Sequence, residues 1–245
     1  MKPIYFVGAG PGDPDLITIK GRNILSIADV VIYTNSLIPA EILSYCPSSS
    51  ILIPSLNLPL EEIIELMIGH SKNDRLVVRL HDGDPSLFST IGEQIFLLNK
   101  AQIPIEVIPG VSAFQLAAAR LQSELTVPEL VQTIILTRTS GRTKTPDRES
   151  LRELAKHQAS LCLYLSAKHI ENAQLELLEH YPSDTPVAIC YHLGWRDEII
   201  KLAPLSAVAL VTKEMGLQRS VLYIISPALN GFYNRSELYK NNPLT

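Results

Sequence analysis

Apolar and polar positions along the chain alternate between two periods, and the alternation predicts the order of elements. PIYFVGAG (3–10) is a short apolar run rich in β-formers that stops at glycines. LITIKGRNILSIADVV (16–31) carries apolar residues at helical spacing and leads into a strand, DVVIYT. Strand SILIP (50–54), helix LPLEEIIELMIGHSKN (58–73), strand RLVVRL (75–80), helix STIGEQIFLLNKA (89–101), strand IPIEVIP (103–109) and helix PGVSAFQLAAARLQ (109–122) follow. Strands alternating with helices in this way predict an α/β fold with a mostly parallel sheet.

SELTVPEL (123–130) has no clear period and contains a proline, which marks it as a hinge. The expected organisation is an N-terminal α/β domain over 1–118, a linker over 119–130 and a C-terminal α/β domain over 131–245. The second half reads as strand QTIILTR (132–138), loop TSGRTKTPDRE (139–149), helix ESLRELAKHQ (149–158), strand ASLCLYLS (159–166) and helix IENAQLELLEHY (170–181). Strand TPVAICYH (185–192), helix PLSAVALVTKEMG (204–216) and strand RSVLYIIS (219–226) complete it, and the polar tail NGFYNRSELYKNNPLT is expected at the periphery.

Composition narrows the function classes. The 245 residues are 46% hydrophobic and 19% charged, enough apolar material for a core. With 21 basic and 25 acidic residues the net charge is −4, so nothing general favours a polyanion and no nucleic-acid partner is expected. The start MKPIYFVGAGPG lacks a signal-peptide pattern, and no run approaches the ~20 apolar residues of a membrane span. A cytoplasmic protein without a membrane partner is the expectation. Cys46, Cys162 and Cys190 are widely spaced, the last two in apolar contexts, and read as buried thiols.

Chemistry gathers at four places. Gly8, Gly10 and Gly12 follow the first strand, where glycine permits positive φ and close approach of backbone to ligand. Pro11 and Pro14 remove N–H groups, and no GxGxxG is present, which argues against a dinucleotide site. Asp82, Gly83, Asp84 and Pro85 follow strand RLVVRL, at the end where open α/β sheets present ligands, and Ser86 or Ser89 are possible helix caps. Gly110 and Ser112 follow the third such strand, with Ser112 readable as an N-cap alone. If these strands run parallel, three turns converge on one crevice built largely of backbone, suited to a neutral or cationic cofactor rather than a diphosphate. The loop TRTSGRTKTPDRE carries Arg138, Arg142, Lys144 and Arg148, either as a solvated face or as a set of carboxylate contacts. His81 and His192 end strands; His81 is a weak candidate for a substrate contact or general base, and no histidine spacing fits a metal site.

GAGPGDPDLIT, DGDPSLF, PGVSAF and PVAICYHLGWRDE resemble the signature segments of the tetrapyrrole (corrin/porphyrin) methylases, in the same order, from about Ile4 to about Pro227. The resemblance implies two α/β domains with S-adenosyl-L-methionine in the cleft between them, and a homodimer. It places Pro11, Asp82, Gly83, Asp84 and Leu87 at the cofactor, with Ser112, Ala113, Leu165, Ala188 and Leu193 along its remaining surface. YTNSLIP (33–39) and TRTSGRTKTP (137–146) resemble segments of the branch that methylates carbon 11 of precorrin-4 or cobalt-precorrin-4; Ser36 is a candidate substrate contact, and Arg138 and Arg142 in the basic loop are candidates for holding its propionate or acetate side chains. Methylation of another corrin-ring carbon or of uroporphyrinogen stays open, as does, more remotely, a cofactor-binding module without catalysis.

Overall fold

The computed structural model describes residues 2–141 and 143–231. The chain divides between Leu116 and Ala117 into two compact units. In the first, strands β1 (Ile4–Gly8), β2 (Val30–Tyr33), β3 (Ile51–Pro54), β4 (Val77–His81) and β5 (Ile105–Ile108) form one sheet in the order β3-β2-β4-β1-β5. Every pairing in it is parallel. Helices α1 (Ile19–Leu25) and α2 (Ala40–Leu43) cover one face. Leu25 and Ile42 there meet Val7, Val31, Val78 and Leu80. Helices α3 (Leu60–Lys72) and α4 (Ile91–Lys100) cover the other, where Ile63, Met67 and Leu98 meet Ile4, Phe6, Val30, Ile32 and Val77. A parallel sheet buried on both faces needs largely apolar strands: VVIY supplies one outright, and VVRLH is fully buried although it carries Arg79 and His81. Helix α5 (Ala113–Arg120) follows β5 and carries the chain across the boundary between the units.

Local chemistry starts the helices. Thr18 Oγ1 accepts from Gly21 N–H at 3.1 Å and caps α1. Asp13 accepts from Asp15 N–H at 3.0 Å and caps the short 3-10 turn before it. Ser86 and Ser89 do not cap α4: its preceding residue, Thr90, is left-handed at φ 55° and gives no side-chain cap.

The second unit holds strands β6 (Ile134–Arg138), β7 (Ser160–Tyr164), β8 (Pro186–Tyr191), β9 (Ile199–Pro204) and β10 (Val221–Ile225) in the order β6-β7-β10-β8-β9. This sheet is mixed, where that of the first unit is all parallel. Only β6 and β7 pair in parallel, while β10 lies antiparallel between β7 and β8, and β9 is an antiparallel edge. Helices α6 (Leu151–Ala155), α7 (Ile170–Leu178) and α8 (Val208–Glu214) pack on one core with Leu161, Leu163, Val187, Ile189, Tyr223 and Ile225. Buried hydroxyls in this unit are satisfied: Tyr181 donates to Ala159 O at 2.7 Å, and Ser160 Oγ donates to Leu125 O at 2.7 Å. Residues 119–130 therefore pack with the second unit, where Val127 clusters with Val131 and Ala228. Among the described residues no helix is long and apolar enough to cross a membrane. The polar tail expected at the periphery lies, from residue 232 on, outside the described residues.

Candidate functional site

In the first unit the sheet brings three turns to one end. Gly8 pairs with His81 across β1 and β4, and Val7 with both Leu80 and Ile108, so β4, β1 and β5 end level. The turns leaving them are locked by main-chain bonds. Gly10 and Gly83 form an antiparallel bridge, with Gly83 N–H donating to Gly10 O at 2.8 Å and Gly10 N–H to Gly83 O at 3.2 Å. Ala9 N–H donates to His81 O at 2.7 Å. A Cβ on Gly110 would sit 2.1 Å from Gly83 O and 2.9 Å from Gly8 Cα, so the turns meet where only hydrogen fits.

Asp84 joins two of these turns. Its Oδ2 accepts from Gly110 N–H at 2.8 Å, and its Oδ1 accepts from Ser86 N–H at 2.8 Å and from the Ser86 hydroxyl. Burial pushes this carboxyl up, but the bonds from Ser86 and Gly110 outweigh it and hold the group below its ordinary value. The Asp84 carboxylate thus fixes the turn. Asp82 differs: the residue is exposed, and its carboxyl takes no bond from another side chain among the described residues. The protein packed around the turn raises it above its ordinary value, against its own N–H and the Arg79 guanidinium. Beside these lies Ser112, buried, whose N–H donates to Gln115 Oε1 at 2.8 Å. That bond is half of a capping box at the start of α5, spelled SAFQ in the sequence. Pro11, Leu87 and Ala113 are half-buried on the same three turns, and Ser36 is exposed on the turn after β2 at the same sheet end.

His81 is 94% covered, and its ring stacks on Phe6 at 5.9 Å between centroids. Burial first, and then the Arg79 charge, push its imidazole down to about 3, so it is neutral and weakly basic at neutral pH. Its Nε2 has no hydrogen-bond partner among the described residues. Arg79, which sequence reading passed over, is buried beneath the turns, where its Nε donates to Gln94 at 3.3 Å and its Nη1 to Ile32 O at 3.2 Å and Ser55 Oγ at 3.0 Å. The guanidinium ties the ends of β2, β3 and β4 to α4.

These groups set an acid limit on stability. The His81 pKa is depressed on folding, so the unfolded chain binds more protons below its ordinary value of 6.5 and stability falls toward pH 3. Asp84 is depressed too, and its contribution is present above the ordinary carboxylate value and lost as pH falls through its lower folded value. Chemical denaturation at successive pH values is expected to show a slope approaching about 1.4 kcal/mol per pH unit from His81 alone. The variant His81→Leu should lose that part of the slope; an unchanged slope would remove His81 from the account.

In the second unit Leu165 and Leu193 follow β7 and β8 at one end of the sheet. Leu165 is 68% exposed in a left-handed conformation at φ 53°, whereas Leu193 is buried. Ala188 stands apart from them, fully buried in mid-strand opposite Ile224 and Leu202. Arg138 ends β6, and its Nη1 donates to Thr139 O at 3.1 Å and Thr143 O at 2.9 Å, which closes its own loop. Arg142 lies outside the described residues.

The segment after β8 is held by residues whose role was not legible in advance. His192, at φ 45°, is fixed by Asp197, whose two carboxylate oxygens lie 3.0 and 2.9 Å from Nδ1. It stacks on Tyr191 at 3.9 Å and on Trp195 at 5.2 Å. Glu198 accepts from Gly194 N–H at 2.6 Å and from Arg120 Nε at 3.1 Å. Cys162 and Cys190, buried as expected, are pushed up to about 12 by burial and stay protonated.

The implied methyl donor fits the first unit. The close-packed glycine turns keep side chains out of the way at Gly83, and the Asp82 carboxyl beside it is the group there that could face a cationic ligand.

Known proteins carry the same pattern. A cobalt-precorrin-4 C(11)-methyltransferase of Methanocaldococcus jannaschii is 44% identical over 243 residues, 98% of this chain and 94% of its own length. The solved structure of a cobalt precorrin-4 methyltransferase superposes with a TM-score of 0.90 at 36% identity, covering 93% of this chain and 95% of that one. A uroporphyrin-III C-methyltransferase from Thermus thermophilus, solved with S-adenosylhomocysteine, superposes with a TM-score of 0.78 at 27% identity over 96% of both chains. The model of the Tetrapyrrole (Corrin/Porphyrin) Methylases matches residues 3–209. With that match and the near full-length relatives, the chain belongs to the tetrapyrrole methylase family.

Proposed function

We propose that the chain transfers the methyl group of S-adenosylmethionine to carbon 11 of precorrin-4, metal-free or cobalt-bound, giving the corresponding precorrin-5 and S-adenosylhomocysteine. The observation that carries this reading is the convergence of three glycine turns on one end of a parallel sheet, in a chain similar over nearly its whole length to a carbon-11 methyltransferase. The S-adenosylhomocysteine in the Thermus structure supports the choice of cofactor.

When bound, the cofactor supplies an electrophilic methyl group on a sulfonium, and the protein's task is orientation. In the first unit Gly83, at φ +60° with nothing nearer its Cβ position than Ser112 Cα at 3.9 Å, leaves room for close backbone contact beside Pro11. Asp82 is the proposed acceptor for the cationic end of the methionine part, on a turn that Asp84 holds. Ser112, Ala113 and Leu87 border the same turns, and in the second unit Leu165, Ala188 and Leu193 are the proposed apolar contacts. Ser36, Arg138 and Arg142 are the proposed substrate contacts. No side chain is required as a base if the ring loses its proton to water after transfer, and the low basicity of His81 is consistent with that course. A homodimer is the assembly inferred from the resemblance, and the cytoplasm the location expected from the sequence pattern.

The test is competition under anaerobic conditions among precorrin-4, cobalt-precorrin-4 and uroporphyrinogen III, read by mass spectrometry. One added methyl mass on either precorrin-4 form, at a kcat/KM at least tenfold above uroporphyrinogen III, is the expected result. Preference for uroporphyrinogen III would move the chain to the sibling reaction.

A further inference from the structure

The second unit carries a hollow of about 410 Å³ lined by Lys168, Tyr191, Gly216, Leu217, Gln218 and Arg219. Two of these residues are cations and none is an acid. Neither Lys168 nor Arg219 makes an ion pair or hydrogen bond among the described residues, and both are exposed. Elsewhere in the same unit Arg152 pairs with Glu179, Lys156 with Glu153 and Arg120 with Glu198, whereas Lys201 and Lys213, which do not line the hollow, make no ion pair among the described residues.

The fold makes the pairing of these two cations local. Gly216, at φ +67°, turns the chain out of α8 and sets Leu217, Gln218 and Arg219 along one wall before β10 begins. Because β10 runs antiparallel between β7 and β8, its first residues stand at the end where β7 and β8 finish. Lys168 comes three residues after Leu165, and Tyr191 two before Leu193, so the hollow opens among the segments proposed above to hold the cofactor. Tyr191 also joins the stack with His192 and Trp195, which places an aromatic face on the wall.

We propose that this hollow receives carboxylate side arms of the acidic ring substrate, with Lys168 and Arg219 as the cationic contacts. The proposal rests on the functional reading above and deepens it. An open guanidinium and an open ammonium in one concavity favour carboxylates, with the guanidinium able to bind two oxygens at once. Arg138, by contrast, already spends Nη1 on its own loop. Attraction at exposed cations is screened by salt, so binding through them weakens as ionic strength rises.

The experiment compares the wild-type chain with Lys168→Gln/Arg219→Gln and with the charge-preserving Lys168→Arg/Arg219→Lys. The first arm titrates uroporphyrin, an octacarboxylic ring, against the fluorescence of Trp195, the chain's single tryptophan. About tenfold weaker binding in the charge-removing variant, recovery in the charge-preserving one and loss of salt dependence are expected. The second arm measures KM for precorrin-4, expected to rise about tenfold with kcat within about twofold, and the Kd of S-adenosylhomocysteine, expected to stay unchanged. Equal uroporphyrin binding by wild type and variant overturns the proposal. Weakened S-adenosylhomocysteine binding would assign the cations to the cofactor and overturns it too. No methylation by the wild type overturns the functional reading instead, while the uroporphyrin arm still decides the hollow.

Discussion

Alanine at Gly110 is expected to cost the protein about 3 kcal/mol or more and to abolish measurable binding of S-adenosylhomocysteine. The added Cβ would lie 2.1 Å from Gly83 O, a distance no real contact tolerates. That oxygen cannot step aside freely, because it accepts from Gly10 N–H in the bridge that closes the neighbouring turn. Nor can Gly110 retreat, since its N–H is held by Asp84 and Gly8 stands behind it. Overpacking against side chains costs roughly 1–3 kcal/mol, and main chain yields less readily. In a chain of this size about 3 kcal/mol lowers Tm by roughly 6–12 °C, which calorimetry resolves. Gly69→Ala is the control: it lies in α3 with nothing within 4 Å of its Cβ position, and should change stability by at most about 1 kcal/mol, in the favourable direction. A Gly110→Ala protein as stable as wild type and still able to bind would mean the turns do not pack as described.

Asp84→Ala is expected to have the second-largest effect. It removes the acceptor from Gly110 N–H and from both donors of Ser86, and leaves a partly buried amide without a partner. Charged hydrogen bonds of this kind contribute roughly 1.5–3 kcal/mol, so a loss of about 2 kcal/mol is expected at neutral pH. The cofactor should bind at least tenfold more weakly, because the turn carrying Asp82 and Gly83 is no longer tied to the turn carrying Gly110. Asp84→Asn keeps one acceptor oxygen and should fall between. Titration calorimetry with S-adenosylhomocysteine reads the effect, and an unchanged Kd in Asp84→Ala would show that the tie does not organise the site.

The first unit was legible because its signals are short-ranged. Most of the parallel strands are short, mainly apolar runs that end at or near glycine or proline, and three such stops after RLVVRL, IPIEVIP and PIYFVGAG already point to one end of the sheet. The second unit was less so. IIKLAP, now β9, shows no alternation because most of its residues are exposed on an edge, and the four-residue α2 is too short to carry a period. The antiparallel direction of β10 depends on how α8 and the Gly216 turn return the chain, which the hydrophobic pattern of VLYII does not encode.

Side-chain commitments were the least visible. Arg138 and Lys168 look alike in sequence, and only the folded loop shows that Arg138 bonds to Thr139 and Thr143 while Lys168 stays open. His81 and His192 both end strands, yet one is enclosed and neutral and the other is latched to Asp197 five residues on. Arg79 sits inside an apolar strand, and its three bonds reach residues 15 to 47 positions away.

The most direct test of the central claim is transfer of a carbon-13 methyl group from labelled S-adenosylmethionine to precorrin-4 or its cobalt form by the purified chain, followed by NMR of the isolated product. Methyl transfer at carbon 11 gives one labelled methyl, bonded to that carbon, with one equivalent of S-adenosylhomocysteine. A label at another ring carbon, or none on either substrate while the cofactor still binds, would contradict it.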